Sequence, residues 1–190
     1  TGDWDAIYDI HRKALSRFEG TASADQKKIM VWKNKLFHAD VALAKRAEAA
    51  GKVDDASRLW NEANQLAEVL MASGAYRNNP HTIRLAAQAF GGYVAKRAGL
   101  VKYAPCLGQH DKAVQLWKKI ERSLKAVGES GGDAWWEAKF YIYYSAYEMD
   151  RAAGRSLMKL RDKLETLQAT NSDGNKVWND YFEWLKAKLF

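Results

Sequence analysis

One decapeptide of this chain returns later in slightly altered form. Gly51-Lys52-Val53-Asp54-Asp55-Ala56-Ser57-Arg58-Leu59-Trp60 reappears as Gly108-Gln109-His110-Asp111-Lys112-Ala113-Val114-Gln115-Leu116-Trp117, with Gly, Asp, Ala, Leu and Trp coinciding at an offset of 57 residues. Each residue type has a physical reason to be there. A Gly closes a helix in the left-handed conformation that other residues resist, and a short polar turn follows. A small Ala then lets the next helix press against its predecessor, and a Trp one turn on fills the remaining space. The pattern is that of a helical hairpin used more than once. Gly2-Asp3-Trp4-Asp5-Ala6 is a weaker echo, one residue short, which suggests that the chain begins inside a preceding unit.

The rest of the sequence agrees with a helical chain. Apolar residues recur at intervals of three and four, and the breaks fall at Gly, Asn, Asp and Pro, which predicts eight helices. Only 13 Gly and 2 Pro in 190 residues disfavour a many-stranded sandwich or barrel. The first helix is expected over 3–18, with Ile7, Ile10, Ala14 and Phe18 on one face. Ser23-Ala24-Asp25-Gln26 reads as a capping box opening the second, which ends at Gly51. A third spans 54–71, and a fourth follows Pro80 and becomes irregular through Gly91, Gly92, Gly99 and Pro105. The fifth covers 111–127; the sixth covers 133–149, with Asp133 as N-cap; the seventh covers 151–169. The eighth follows Asn171-Ser172-Asp173-Gly174 and carries Val177, Trp178, Tyr181, Phe182, Leu185 and Leu189 at helical spacing. No strand is expected, and the short connections make consecutive helices antiparallel neighbours.

The Gly-x-x-x-x-Ala-x-x-x-Trp pattern resembles the turn between the two helices of a tetratricopeptide repeat. The resemblance implies an all-α fold, a right-handed α-α superhelix occupying residues 1–190 as one domain. A leading helix (about 3–19) would precede hairpins at about 23–72, 80–127 and 132–169, with a capping helix at about 174–189. The spacings of 57 and about 41 residues exceed the usual repeat length of about 34. The third hairpin puts Asp150 and Gly154 near the expected Gly and Ala positions. Trp135-Trp136-Glu137-Ala138-Lys139-Phe140, followed by a helix with Trp178 and Phe182, is also similar to C-terminal repeats of large tetratricopeptide proteins of planctomycete-type bacteria. A single irregular helical bundle is the alternative topology.

Little in the sequence points to catalysis. His11, His38, His81 and His110 lie far apart, with no metal-ligand spacing between them, so no metal site is expected. Cys106 after Pro105, with His110 four residues on, lacks an orienting third group or an oxyanion motif, and a bystander thiol is the simpler reading. A lone cysteine also excludes an intramolecular disulfide. Gly91-Gly92 lacks the preceding strand of a dinucleotide turn. Asp54-Asp55 at a helix start are explained by the helix dipole, and Asp111 and Asp150 read as turn acids that cap helices. No enzyme, cofactor or catalytic residue is therefore expected. The most apolar segment, 140–147, is far too short to span a bilayer. The opening residues show no basic region followed by an apolar run, and the compartment stays open.

The net charge of +7 invites an acidic partner or a nucleic acid, yet it is dispersed. Residues 1–95 hold 13 basic and 11 acidic side chains, and residues 96–190 hold 17 and 12, with no like-charge block. Trp60, Trp117 and Trp178 fall on apolar helix faces and read as core rather than base-stacking platforms. Trp136, Lys139, Tyr143 and Tyr147 form a stripe opposite Trp135, Ala138, Ile142 and Met149, so that one stripe packs and the other either lines a groove or is buried too. In the family resembled, first helices of successive hairpins line a concave surface that takes a peptide or protein segment. Counting back from Gly51 puts His38, Val41, Lys45 and Glu48 there, joined by Arg84 and Gln88 from the second hairpin. With Trp136, Lys139 and Tyr143 they make the expected groove, whose cations favour an acidic or extended segment. Asn78-Asn79 falls in a loop and supplies no carboxylate clamp. The expected function is a non-enzymatic interaction scaffold; the alternatives are a basic nucleic-acid binder or a purely structural segment of a longer repeat protein.

Overall fold

The computed structural model describes residues 3–21, 25–97, 100–103, 108–170 and 176–189. Among them are eight helices: α1 (Trp4–Phe18), α2 (Gln26–Ala49), α3 (Val53–Ala72), α4 (Pro80–Gly91), α5 (His110–Ala126), α6 (Asp133–Ala152), α7 (Met158–Thr170) and α8 (Lys176–Lys186). The fold is all-α apart from one antiparallel hairpin, β1 (Val94–Arg97) with β2 (Leu100–Tyr103), in which Val94 stands opposite Tyr103. The chain divides into two compact units, residues 1–89 with 105–107 and residues 90–104 with 108–190, the first division falling inside α4.

In the first unit, Asp3 caps α1 by accepting from the Ala6 amide at 3.1 Å. Asp25 caps α2, accepting from the Lys27 and Lys28 amides. The expected cap at Ser23 lies outside the described residues. A small core of Leu15, Ile29 and Leu36, flanked by Tyr8, Trp32 and Leu66, ties α1 to α2 and α3. The buried side of α1 is therefore centred on Leu15, and Ile10 and Phe18 of the expected apolar face are 62% and 41% exposed. Phe18 still meets the Trp32 ring, at 5.8 Å.

The repeated decapeptide folds the same way twice. Gly51 and Gly108 adopt φ of +73° and +72°, Ala56 and Ala113 are completely buried, and Trp60 and Trp117 are buried behind them. After α2, the Lys52 amide donates to the Ala47 carbonyl at 2.9 Å, the bond that closes a left-handed helix end. Before α5, the Gln109 amide donates to the Phe90 carbonyl at 3.0 Å. Lys52 and Gln109 are 57 residues apart, whereas Ala47 and Phe90 are 43 apart, so the second turn carries 14 additional residues. The β1-β2 hairpin occupies that insertion. It replaces the irregular helix end expected there, because Gly92 at φ +75° turns the chain out of α4 and Val94 anchors the new direction. Val94 is buried, and its amide donates to the Tyr141 hydroxyl at 3.0 Å.

The second unit is built around α6. Trp117 of α5 stacks on Tyr141 at 4.8 Å, and Phe140 meets Tyr144 and Phe182 at 6.0 and 5.7 Å. Helix α8 buries Phe182 and Leu185, leaves Trp178 and Tyr181 half-buried and exposes Val177; it ends before Leu189. Asp133 opens the first turn of α6, and its N-cap is Gly132, which makes no side-chain bond. Helix α6 also runs past its expected end to Ala152. Gly154, at φ +62°, then takes the glycine place of the turn, with the Arg155 amide donating to the Asp150 carbonyl at 2.9 Å. Gly154 thus stands where Gly51 and Gly108 stand, not at the Ala position, and α7 starts only at Met158.

Candidate functional site

In the first unit α2 and α4 lie side by side. The Asn79 side chain fixes the start of α4 by accepting from the Thr82 amide at 3.0 Å, which makes Asn79 a helix cap. Three side-chain contacts then join the helices. Thr82 Oγ1 donates to Asn34 Oδ1 at 3.2 Å, the His38 and His81 rings meet edge to face at 4.8 Å, and Lys45 Nζ donates to Gln88 Oε1 at 2.6 Å. His38 to His81 and Lys45 to Gln88 are both offset by 43 residues, so the helices run in the same direction, one register apart. The same offset separates the turn carbonyls Ala47 and Phe90.

The electrostatics of this face follow from burial and from its cations. His38 is pushed down to about 4, first by burial and then by His81 and Lys35. His81 is lowered too, by burial, Arg84 and Lys45. Both imidazoles are therefore neutral at pH 7, and His38 Nε2 has no hydrogen-bond partner. The formal charges alongside them are cationic: Lys35 and Arg84 are exposed and Lys45 is half-buried. The face offers the neutral, exposed His81 ring among positive charges, an arrangement suited to carboxylates and backbone carbonyls.

The residues expected to line a groove divide by burial. Val41, Glu48 and Gln88 are 2%, 5% and 2% exposed. Val41 belongs to the core, and Glu48 accepts from the Trp60 indole at 3.3 Å. Gln88 meets Lys45, as above. His38, Lys45 and Arg84 are the members of that set with accessible surface. The remaining three residues belong to the second unit. Trp136 is buried, edge to face with Trp135 at 4.8 Å and with Phe182 at 5.8 Å, and Tyr147 is buried as well. Lys139 pairs with Glu121 and lies 5.0 Å over the Trp135 ring, while Tyr143 is half-buried, its hydroxyl pKa raised by burial and by Glu121. The stripe on α6 is thus largely interior: Phe182 of α8 covers Trp136, and Glu121 of α5 stands beside Lys139 and Tyr143. His81, Asn34 and Thr82 complete the α2–α4 face and were not expected; the 43-residue offset that relates Lys45 to Gln88 also relates His38 to His81 and could have found His81, whereas Asn34 and Thr82, 48 residues apart, carry no such signal.

Among the described residues, no three His, Cys, Asp or Glu side chains gather where they could hold a metal ion, and no helix is long and apolar enough to cross a membrane. Cys106 lies outside the described residues. His110 is buried and meets Tyr144 edge to face at 5.8 Å. Compared with known protein families, curated proteins and solved structures, the chain matches none of them.

Proposed function

We propose that the chain is a tetratricopeptide-like helical-repeat protein, a right-handed α-α superhelix acting as a non-enzymatic interaction scaffold. The observation that carries this reading is the co-directional pairing of α2 with α4 at a 43-residue offset, together with the matching Gly turns. That relation is the one corresponding helices of successive hairpins have in a repeat array, and it supports the reading. In this reading the period is 43 residues, and the 57-residue spacing in the sequence contains the β1-β2 insertion. The partner is a peptide or protein segment lying along α2 and α4. Lys35, Lys45 and Arg84 select an acidic or extended stretch, and the exposed His81 contributes a hydrogen bond.

The test is fluorescence anisotropy with labelled extended peptides of matched length, one series acidic and one basic. Acidic peptides bind the wild type, and Lys45→Ala with Arg84→Ala weakens them at least tenfold while circular dichroism stays unchanged. Equal binding of acidic and basic series, or binding indifferent to the double substitution, overturns the proposal. Uptake of single-stranded nucleic acid that falls steeply with salt would favour the basic nucleic-acid reading instead.

A further inference from the structure

Asp40 lies two residues from His38 on α2, and so on the opposite side of that helix, facing α1 and α3. It is fully buried, and neither carboxylate oxygen has a hydrogen-bond partner. Burying a polar group with nothing to bond is costly, so its presence is not explained by packing. Asp40 lines a cleft of about 380 Å³, where Leu15, Leu36, Leu66 and Val69 supply apolar wall. The other two carboxylates of this cleft are already matched. Glu62 pairs with Arg12 at 2.7 Å and Arg58 at 3.0 Å, and Glu19 pairs with Lys33 at 2.6 Å. All three of these cations are thereby engaged, and Asp40 is the acid of the cleft left without a donor.

We propose that this cleft binds a primary ammonium or guanidinium on an aliphatic stem, the cation seated on Asp40 and the stem against the leucines and Val69. Such a group brings three to five N–H donors to the two vacant acceptors. The chemistry is shared by free alkylamines and by the end of a Lys or Arg side chain of a partner chain. The site is on the far side of α2 from the face described above, and it stands or falls independently of that reading.

Binding is linked to protons. Burial, and then the Glu62 carboxylate, push Asp40 up to about 8, against the opposing pull of Arg12 and Arg58. The charged groups around it are Arg12 from α1 and Glu19 just after that helix, Lys33 on α2, and Arg58 and Glu62 from α3. A cation must expel the Asp40 proton, so affinity rises roughly tenfold per pH unit up to about pH 8 and then levels.

The experiment is calorimetric titration of the whole chain with 1-pentylamine, and with 1-pentanol as the uncharged analogue. The expected result is saturable binding of one amine at pH 8, at least tenfold weaker at pH 6, with pentanol and the Asp40→Asn variant each at least tenfold weaker than amine on wild type. No saturable uptake at pH 8, uptake unchanged in Asp40→Asn, or affinity indifferent to pH overturns the proposal. Should Asp40→Asn fail to fold, wild type alone decides by carboxyl carbon resonance. The Asp40 signal moves to its ionised position on saturation with pentylamine at pH 7, and a stationary signal overturns the site. A capped Ala-Lys-Ala peptide separates the two sources within the proposal: tighter binding than pentylamine assigns a partner chain, weaker binding a free amine.

Discussion

Adding one methyl group at Gly91 tests the packing of the second turn. Gly91 ends α4, and a Cβ placed there would lie 2.6 Å from Ala113 Cβ on α5, 3.5 Å from His110 Nδ1 and 3.6 Å from Ser145 Oγ. Carbon atoms in good contact sit about 3.5–4.0 Å apart, so Gly91→Ala forces the α4 end and α5 apart by roughly 1 Å or unwinds the last turn of α4. Overpacking of this kind costs roughly 1–3 kcal/mol. Replacing Gly by Ala in a helix returns up to about 1 kcal/mol, and a terminal position collects only part of it. The net expectation is a loss of about 1–2 kcal/mol, or a fall in Tm of roughly 2–8 °C for a chain of this size. Urea and thermal unfolding followed by far-ultraviolet circular dichroism measure it. Gly74→Ala, which meets nothing within 4 Å, should stay within about 0.5 kcal/mol of wild type. Ala113→Gly in the Gly91→Ala background removes the colliding carbon, so the two substitutions should couple by about 1 kcal/mol or more. A Gly91→Ala protein as stable as wild type, or strictly additive behaviour of the pair, would refute the close approach.

Other substitutions probe the core and the buried titratable groups. Trp117→Ala removes a fully buried ring stacked on Tyr141 and should cost about 3–5 kcal/mol in urea unfolding; a loss under about 1 kcal/mol would mean the ring is not core. His38 sits near 4 in the folded chain against 6.5 as its ordinary value, so between those values the unfolded chain binds the extra proton. Stability should therefore fall as pH drops from about 6.5 to about 4, and His38→Gln should flatten that part of the profile; an unchanged slope speaks against the buried imidazole. Asp40 acts in the opposite sense, because its folded value near 8 exceeds 3.8 and the folded chain holds the proton in between. Stability should decline by a few kcal/mol as pH rises from about 4 to 8. Asp40→Asn should abolish that decline in a pH series of urea melts.

The sequence alone settled the all-α class, the number of helices among the described residues and the left-handed glycines of the two matching turns. Local physics explains this. Three-and-four periodicity, Gly at the left-handed position and Asp at helix starts act within a few residues, so they can be read without knowing what packs on what. The burial of Ala56, Trp60, Ala113 and Trp117 followed from the same local pattern. Other features depended on contacts between segments distant in sequence. The β1-β2 hairpin was missed although Val94, Val101 and Tyr103 flank Ala98-Gly99, a strand-turn-strand composition, because four-residue strands carry too short a pattern to stand out beside helices. Their insertion also obscured the 43-residue offset behind a 57-residue one.

At the candidate site the division is the same. Lys45 and Arg84 could be placed on a helix face by counting, but which face stays accessible depends on what covers it. Helix α8 turns Trp136 into core through Phe182, while the arrival of α4 beside α2 sets His81 against His38 and Gln88 against Lys45. Asp40 was invisible in the sequence for the same reason: an Asp in the middle of an amphipathic helix reads as solvated, and only the joint packing of α1 and α3 over it removes water and every partner. Periodicity tells which residues share a side of a helix. Tertiary packing alone decides which side is buried, and with it which charges are left to be answered.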